Sequence, residues 1–210
     1  MLEVLKEIEV ADYFTFLNAI FGLLAIHFVA RENIDMAIVM VYLAVLMDGI
    51  DGFVARSFKK SLLGKNLDSL ADIISFGICP ALIVSTSGFF LIFISAFYVL
   101  AGIIRLARFN ILDREDFVGC PITVSALLLI SEVHIGVSTE TLAVTAAILA
   151  FMMISDVNYP KIKNTTLLAI IGLIILVAIF IKIFAYLVTL SCLLYLIFPA
   201  FRKMGWCKDV

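Results

Sequence analysis

Residues 167–201 read LLAIIGLIILVAIFIKIFAYLVTLSCLLYLIFPAF, and Lys182 is the only charged side chain in this 35-residue run. As a single helix rising 1.5 Å per residue, the run would be about 50 Å long. The hydrocarbon core of a bilayer is about 30 Å thick and is crossed by about 20 apolar residues. The run is therefore too long for one span, and it predicts two membrane helices with a break near Lys182.

The same apolar character extends along the whole chain. Of the 210 residues, 64% are hydrophobic and only 15% are charged, and the mean hydropathy is +1.18. Soluble domains are only about half apolar, so this composition predicts an all-α polytopic membrane bundle. Eight apolar runs qualify as spans. They are 13–31, 36–56, 67–86, 89–109, 121–137, 140–156, 166–181 and 183–201.

Eight spans place both termini on one side of the membrane, and the basic residues indicate which side. Only Arg31 and Lys182 fall opposite the termini; the other lysines and arginines lie in loops and helix ends on the side of the termini. This bias marks the cytoplasmic side. We therefore expect a multi-pass protein of the cytoplasmic membrane whose 57–66 loop faces the cytoplasm. The residues on that side are Lys6, Arg56, Lys59, Lys60, Lys65, Arg105, Arg108, Arg114, Lys161, Lys163, Arg202, Lys203 and Lys208.

Little else divides the chain. No linker rich in Pro, Gly or Ser and no fixed-period repeat separates the runs, which predicts a single membrane domain over 1–210. Residues 1–12, MLEVLKEIEVAD, can place Leu2, Leu5 and Ile8 on one helical face. We expect them to form a short helix on the cytoplasmic interface. The net charge of −2 gives no indication of a nucleic-acid partner.

Four aspartates lie inside or beside the second and third runs. Asp48 and Asp51 are three residues apart, and Asp68 and Asp72 are four apart, so each pair shares a helical face. The short loop between the two helices brings both pairs to the same depth. Carboxylates are costly in hydrocarbon and repel one another, so their cluster predicts a hard divalent cation such as Mg²⁺, Mn²⁺ or Ca²⁺. The alternative is a set of interfacial acids at helix ends, favoured by water and the helix dipole.

Residues 48–72 carry the pattern DxxDGxxAR, seven further residues, and GxxxDxxxD. This pattern resembles the signature of the CDP-alcohol phosphotransferase family, membrane enzymes that transfer a phosphoalcohol group from a CDP-linked donor to a hydroxyl acceptor and release CMP. The resemblance implies that all four aspartates hold Mg²⁺ or Mn²⁺, as one ion or two, and that Asp72 is also the general base. It also implies that the CDP-lipid contacts Gly52, Ala55, Arg56 and Gly64.

Three further segments narrow the resemblance. LDSLADIISFGICPAL at 67–82, RLARFN at 105–110 and FVGCPITVSAL at 117–127 are together similar to membrane-embedded phosphatidylserine synthases, including archaeal versions that use a CDP-archaeol donor. This resemblance runs from about Asp12 to Ala126. It implies a CDP-activated lipid and L-serine as substrates, a phosphoserine lipid and CMP as products, and a homodimer. The pair of runs at 166–201 is an addition at the C-terminus.

A serine site needs a cation for the substrate carboxylate. Arg105 and Arg108, with Asn110, are the candidates to bind serine carboxylate or donor phosphate, and Arg108 is preferred. The alternative is anchoring by arginines that snorkel to the interface. Thr15 and Asn18 lie three apart on the first run. They can bind the donor nucleotide, orient an aspartate or simply pack helices together.

Two other functions stay open from the sequence. A different acceptor would make the chain a phosphatidylglycerophosphate or phosphatidylinositol-phosphate synthase of the same family. Intramembrane acids also mark the pathways of divalent-cation or proton-coupled transporters. Transporter sites usually lie near the bilayer midplane, whereas these acids lie at the ends of predicted spans. The enzyme is therefore the favoured function.

Overall fold

The computed structural model describes residues 8–57, 63–111, 116–162 and 164–203, with only the backbone described at 55–57 and 201–203. The described chain is helical except for its turns, loops and two short antiparallel strands, which agrees with the all-α class predicted. The elements are α1 (Val10–Ala30), α2 (Ile34–Ser57), α3 (Gly64–Asp72), a π-helical segment (Ile73–Ile78), α4 (Cys79–Ser85), α5 (Leu91–Ile111), β1 (Phe117–Val118), α6 (Ile122–Ile135), α7 (Thr139–Ile154), β2 (Asn158–Tyr159), α8 (Thr165–Phe180) and α9 (Ile183–Lys203).

Each predicted apolar run coincides with a helix, since α3, the π-helical segment and α4 follow one another without a break. By length and composition, five helices of the described chain can cross a membrane. They are Val10–Ala30, Ile34–Val54, Gly64–Ser85, Leu91–Ile111 and Ile183–Ala200. The remaining three are shorter, because α6 has 14 residues and α7 and α8 have 16 each. The break predicted near Lys182 is confirmed, because α8 ends at Phe180 and α9 begins at Ile183.

Helix α6 lies at the centre of the bundle. Its side chains are buried without interruption from Ser125 to Glu132. It contacts α2, α4, α5, α7, α9 and the π-helical segment. A helix that is apolar on all sides is stable when it is surrounded by other helices. The central position of α6 therefore follows from its sequence, ITVSALLLISEVHI, which has almost no polar face.

Helix α1 packs closely against the π-helical segment. A side chain at Gly22 would collide with the Ser75 side chain, so glycine is required for this approach. The Ser75 hydroxyl donates to the backbone oxygen of Asn18 at 2.9 Å, and the Cys79 thiol donates to the oxygen of Gly22 at 3.0 Å. These bonds fix α3 at one height along α1, so the polar side chains of the two helices face each other.

The interfacial helix predicted for residues 1–12 lies mostly outside the described residues. Ile8 and Glu9 are not helical, and Val10 begins α1. The backbone N–H of Glu9 donates to the Asp12 carboxylate at 2.8 Å, which caps the first turn. Over residues 8–12 the prediction of a separate helix is therefore wrong, because this segment serves as the start of the first span.

Candidate active site

Three carboxylates meet where α2 ends and α3 begins. Asp48, Asp68 and Asp72 each offer one oxygen, and these oxygens lie within 4.8 Å of one another. Asp72 is buried, whereas Asp48 and Asp68 are half-buried. Both helices contribute one or more of these carboxylates, as the sequence predicts. We refer to these three residues as the aspartate triad.

Asp51 lies beside the triad and is not part of it. It is buried, and its carboxylate accepts a hydrogen bond from the Thr15 hydroxyl of α1. Its negative charge still acts on Asp48 and Asp68. The sequence predicts four equivalent metal ligands, and the structure separates one from the other three because α1 supplies a competing donor.

Asn18 bridges α1 and the triad. Its side-chain amide nitrogen donates to Asp72 at 3.3 Å. Its side-chain oxygen is buried and has no hydrogen-bond partner within the described part of the chain. Thr15 and Asn18 therefore both orient aspartates, which was one of the three roles that the sequence allowed.

Thr123 contributes a contact that the sequence analysis missed. Its hydroxyl, near the start of α6, donates to the Asp48 carboxylate at 3.4 Å. The residue lies in the segment FVGCPITVSAL, but it is 75 positions from Asp48 and no spacing links the two. Through Thr123, the central helix joins α1 in holding the triad.

The donor atoms of the triad suit a hard divalent cation. Three carboxylate oxygens within 4.8 Å repel one another unless positive charge lies between them. Carboxylate oxygen is the ligand that Mg²⁺ and Mn²⁺ favour, whereas zinc is bound mostly by nitrogen and sulfur. The unpartnered Asn18 oxygen beside Asp72 is a further hard donor. The triad can hold a metal ion, and its oxygens do not by themselves specify which one.

Arg105 of α5 is a buried cation close to the triad. Only 5% of it is exposed. Its charge attracts Asp48, Asp68 and Asp72, yet within the described residues its guanidinium forms no hydrogen bond or ion pair. It packs instead over the rings of Phe109 and Phe117, at 5.2 and 5.3 Å from their centroids. Its N–H groups thus remain available to an anion.

Arg108 is used differently, although it lies one helical turn further along α5. Its guanidinium donates to the backbone oxygens of Val118, Met153, Ile154 and Ser155, at 2.8 to 3.4 Å, and pairs with Asp156 at 3.2 Å. These contacts tie α5 to β1 and to the end of α7. The substrate-binding role preferred for Arg108 stays a prediction, and its guanidinium is already engaged by other parts of this chain.

Asn110 lies in a groove between α3 and α5. Its side-chain oxygen accepts from Ser69 at 3.1 Å, and its backbone oxygen accepts from Lys65 at 3.0 Å. The groove has a volume of about 370 Å³. Its lining is Asn66, Ser69, Leu70, Ile73, Ile103, Leu106, Ala107 and Asn110. Neither Arg105 nor any aspartate is among the residues that line this groove.

The two glycines of the motif lie in different surroundings, Gly52 beside free space and Gly64 at the start of a helix. A side chain at Gly52 would meet no atom within 4 Å, so the space beside α2 is free at that point. Gly64 is the first residue of α3 and is half-buried. Helix α2 runs through Ala55 and Arg56 to Ser57, so the motif residues from Asp48 to Arg56 all lie on this helix. The side chains of Ala55 and Arg56 lie outside the described part of the structure.

Comparisons with known proteins identify the family of the chain. A model of the CDP-alcohol phosphatidyltransferase family matches residues 8–197. A CDP-diacylglycerol–serine O-phosphatidyltransferase of Methanocaldococcus jannaschii is 37% identical over 94% of this chain and 96% of its own. An archaetidylserine synthase of Methanothermobacter thermautotrophicus is 35% identical, over 75% and 72% respectively. A CDP-diacylglycerol–serine O-phosphatidyltransferase of Bacillus subtilis is 31% identical, over 70% and 87%.

Proposed function

The chain belongs to the CDP-alcohol phosphatidyltransferase family, and on that premise we propose that it transfers a phosphatidyl or archaetidyl group from a CDP-lipid to L-serine. The products are a phosphoserine lipid and CMP. One observation carries the proposal: relatives named for this transfer to serine align with most of the chain. The buried Arg105, whose charge acts on Asp68 and Asp72, adds a cation close to the aspartate triad. Membership of an enzyme family also removes the reason to assign a transporter.

The aspartates hold the reacting groups. Asp48, Asp68 and Asp72 would hold Mg²⁺ or Mn²⁺, as one ion or two, and Asp51 adds its negative charge from beside them. A metal ion held there would supply the positive charge that neutralises the pyrophosphate and stabilises the leaving CMP. The triad also places the lipid-side phosphorus of the donor next to Asp72. Positioning of this kind accounts for a large part of catalysis in transfer reactions.

Asp72 acts as the general base. The Asn18 amide fixes one of its oxygens at 3.3 Å, which leaves the other to take the proton from the serine hydroxyl. The hydroxyl oxygen then forms a bond to the lipid-side phosphorus. The bond from that phosphorus to the bridging oxygen breaks, and CMP leaves with the electron pair.

The donor binds along the part of α2 that carries Gly52, Ala55 and Arg56. The free space beside Gly52 lets the nucleotide approach the backbone. The small side chain of Ala55 leaves space for the donor on the same part of α2, and Arg56 pairs with the donor phosphate. Gly64 leaves space for the donor at the start of α3. Thr15 and Asn18 contribute by holding Asp51 and Asp72 rather than by touching the nucleotide.

Arg105 binds the acceptor. Its guanidinium is buried near Asp68 and Asp72, and a carboxylate can accept two parallel hydrogen bonds from it. Serine bound in this way keeps its hydroxyl within reach of Asp72, because carboxylate and hydroxyl are on neighbouring carbons. Arg108 and Asn110 lie outside this contact and support the surrounding chain.

We further propose that the chain is one domain with eight spans in the cytoplasmic membrane. Three of these spans, α6, α7 and α8, are short for a bilayer, and α6 gains by being enclosed in the bundle. The basic residues cluster at the helix ends that carry the triad, which supports an active site on the cytoplasmic side. A homodimer remains a prediction from the family resemblance.

An acceptor screen tests the function. Purified protein in lipid nanodiscs is given CDP-diacylglycerol or CDP-archaeol with Mg²⁺ or Mn²⁺, and CMP release is followed with serine, glycerol 3-phosphate or inositol phosphate. We expect release with serine alone, and none after chelation of the metal. Release with glycerol 3-phosphate or inositol phosphate and none with serine would move the chain to another branch of the family.

A further inference from the structure

One turn of π-helix follows directly after Asp72 in the third span. Helix α3 ends at Asp72, the π-helical segment covers Ile73–Ile78, and α4 begins at Cys79. The Cys79 backbone N–H donates to the oxygen of Ile74, five residues earlier, whereas an α-helix joins residues four apart. Turns of this kind are rare and occur frequently at functional sites. This turn separates the aspartates of α3 from the packed helix α4.

Pro80 gives the π turn a physical cause. A proline is tolerated in the first turn of a separate helix, but Pro80 of α4 has continuous helix before it. In a continuous α-helix, a proline cannot donate to the carbonyl four residues earlier, and its ring collides with that carbonyl. For Pro80 this carbonyl belongs to Phe76. The wider π turn moves the Phe76 carbonyl away from the ring, and the carbonyl then needs another donor.

Tyr98 of α5 supplies that donor. Its side chain is fully buried, and its hydroxyl donates to the backbone oxygen of Phe76 at 3.1 Å. A buried carbonyl without a partner costs free energy comparable to a lost hydrogen bond. The bond from Tyr98 therefore stabilises the π turn, and Tyr98 and Pro80 act on the same carbonyl from two different helices.

The spacing of four side chains shows what the π turn changes. Ser75 and Cys79 both face α1, because each donates a hydrogen bond to a backbone oxygen of that helix. Asp68 lies seven residues before Ser75, and Asp72 lies seven residues before Cys79. Residues seven apart share a face of a continuous α-helix. Without the π turn, both aspartates would therefore lie on the side of the helix that packs on α1.

The π turn rotates the aspartates toward α2. One additional residue in a turn rotates the helix before it by about 100° relative to the helix after it. The oxygens of Asp68 and Asp72 accordingly lie within 4.8 Å of an oxygen of Asp48. Asp72 lies at the edge between the two helices, where it still accepts from the Asn18 amide at 3.3 Å. The π turn thus determines where two of the three triad carboxylates point.

We propose that Tyr98 is a positioning residue for the metal site, because together with Pro80 it holds the π turn that directs Asp68 and Asp72 toward Asp48. The inference rests on the metal role proposed for the aspartate triad and names two residues outside the aspartate motif on which that role depends. Tyr98 acts through the backbone of the third span and not by contact with metal or substrate. Loss of its hydroxyl should weaken metal binding even in a folded protein.

The experiment compares Tyr98→Phe, Pro80→Ala and the double variant with the wild type. Tyr42→Phe is the matched control for the tyrosine, since it removes another fully buried hydroxyl, which contacts His134 at 3.4 Å. Pro199→Ala is the control for the proline, since it removes a proline from the interior of α9. Each protein is purified in phosphatidylcholine nanodiscs without substrates. The dissociation constant for Mn²⁺ is measured from the EPR signal of the free ion, and the Tm is measured by thermal unfolding.

Tyr98→Phe leaves the Phe76 carbonyl unpaired in the π turn, so the dissociation constant for Mn²⁺ should rise about five- to hundredfold. Pro80→Ala restores an N–H and permits an α-helical turn, so Mn²⁺ binding should weaken by a similar factor while the Tm does not fall. The double variant should match Pro80→Ala in both measurements, because the alanine N–H already serves the carbonyl. Both controls should bind Mn²⁺ as the wild type does, although Tyr42→Phe should lower the Tm.

Two results would overturn the inference. One is unchanged Mn²⁺ affinity in both Tyr98→Phe and Pro80→Ala. The other is a loss of affinity that follows the Tm across all variants, Tyr42→Phe included, because the effect would then be a general loss of folded protein. If the wild type binds no Mn²⁺, the metal role of the triad fails and the inference fails with it. If the expected pattern appears but CMP is released only with acceptors other than serine, the serine transferase function fails and the inference stands.

Discussion

The two sides of the candidate site are assembled in different ways. The acidic side, Asp48, Asp68 and Asp72, comes from two consecutive helices within 25 residues of chain. The basic side is Arg105 of α5, which packs over the rings of Phe109 and Phe117. Helical geometry alone brings the acids together, whereas Arg105 meets Phe117 only because a strand pair packs against α5.

This difference indicates a division of labour. The acids are held by hydrogen bonds from helices α1 and α6, through Asn18 and Thr123. Arg105 is held by aromatic rings, one of which belongs to a strand pair that Arg108 fixes. Changes on the acidic side should therefore lower kcat, and changes on the basic side should raise the KM for serine. The following predictions test that division, from the largest effect to the smallest.

Asp72→Asn should have the largest effect. It removes the proposed base and one triad oxygen, so kcat should fall by about 10² to 10⁴-fold or more. CMP release at saturating serine measures the loss. Asp35→Asn, an exposed acid in the first turn of α2, is the control and should keep wild-type kcat. Full activity in Asp72→Asn would remove the general-base role.

Arg105→Lys should act mainly on the acceptor. Lysine keeps the charge but loses the planar fork that binds a carboxylate through two bonds. We expect the KM for serine to rise about ten- to hundredfold, with a smaller change in kcat. Steady-state titration of serine at saturating donor measures the shift. Arg31→Lys, in the exposed turn after α1, is the matched control. An equal loss of affinity for serine and for the donor would contradict the assignment of Arg105 to the acceptor.

Arg108→Gln should produce a smaller change of the same kind. It releases β1 from the end of α7, so Phe117, which packs against the Arg105 guanidinium, becomes less well placed. The KM for serine should rise about three- to thirtyfold, less than the loss of a direct charged contact. The KM for the donor should stay near that of the wild type. A fall in kcat without any change in the KM for serine would show that Arg108 supports the acidic side instead.

Thr15→Val and Thr123→Val should have the smallest effects. Each removes one hydroxyl that donates to an aspartate, and a buried acceptor left unpaired costs about 1 to 3 kcal/mol. Thr15 and its partner Asp51 are both buried, while the bond from the half-buried Thr123 to Asp48 is long at 3.4 Å. We expect kcat to fall about tenfold for Thr15→Val and less than fivefold for Thr123→Val. The values of kcat for the two variants are compared at saturating serine and donor in parallel preparations. A larger fall in kcat for Thr123→Val than for Thr15→Val would contradict this prediction.

The acidic side could be predicted from the sequence because helical spacing is local. The offsets between Asp48, Asp68 and Asp72 need only two antiparallel helices and a short loop. The break near Lys182 was equally predictable, since bilayer thickness limits the length of a span. That Asp51 stands apart was not predictable, because Thr15 reaches it from another helix.

The basic side could be predicted only in part. Spacing placed Arg105 and Arg108 on one helical face, but it did not tell which guanidinium would be free. The answer depends on the carbonyl groups at the end of α7, more than 40 residues away. The contact of Arg105 with Phe117 gave no signal either, since Phe117 belongs to β1 and not to α5. Contacts between distant segments leave no periodic pattern in a single sequence.

Isotope transfer gives the most direct test of the central claim. Purified protein in nanodiscs is incubated with CDP-diacylglycerol, Mg²⁺ and serine labelled with ¹⁵N, and the lipids and CMP are quantified by mass spectrometry. We predict one labelled phosphoserine lipid for each CMP released, and neither product from Asp72→Asn. Release of CMP without labelled lipid, or labelled lipid in equal amounts from Asp72→Asn, would contradict the account.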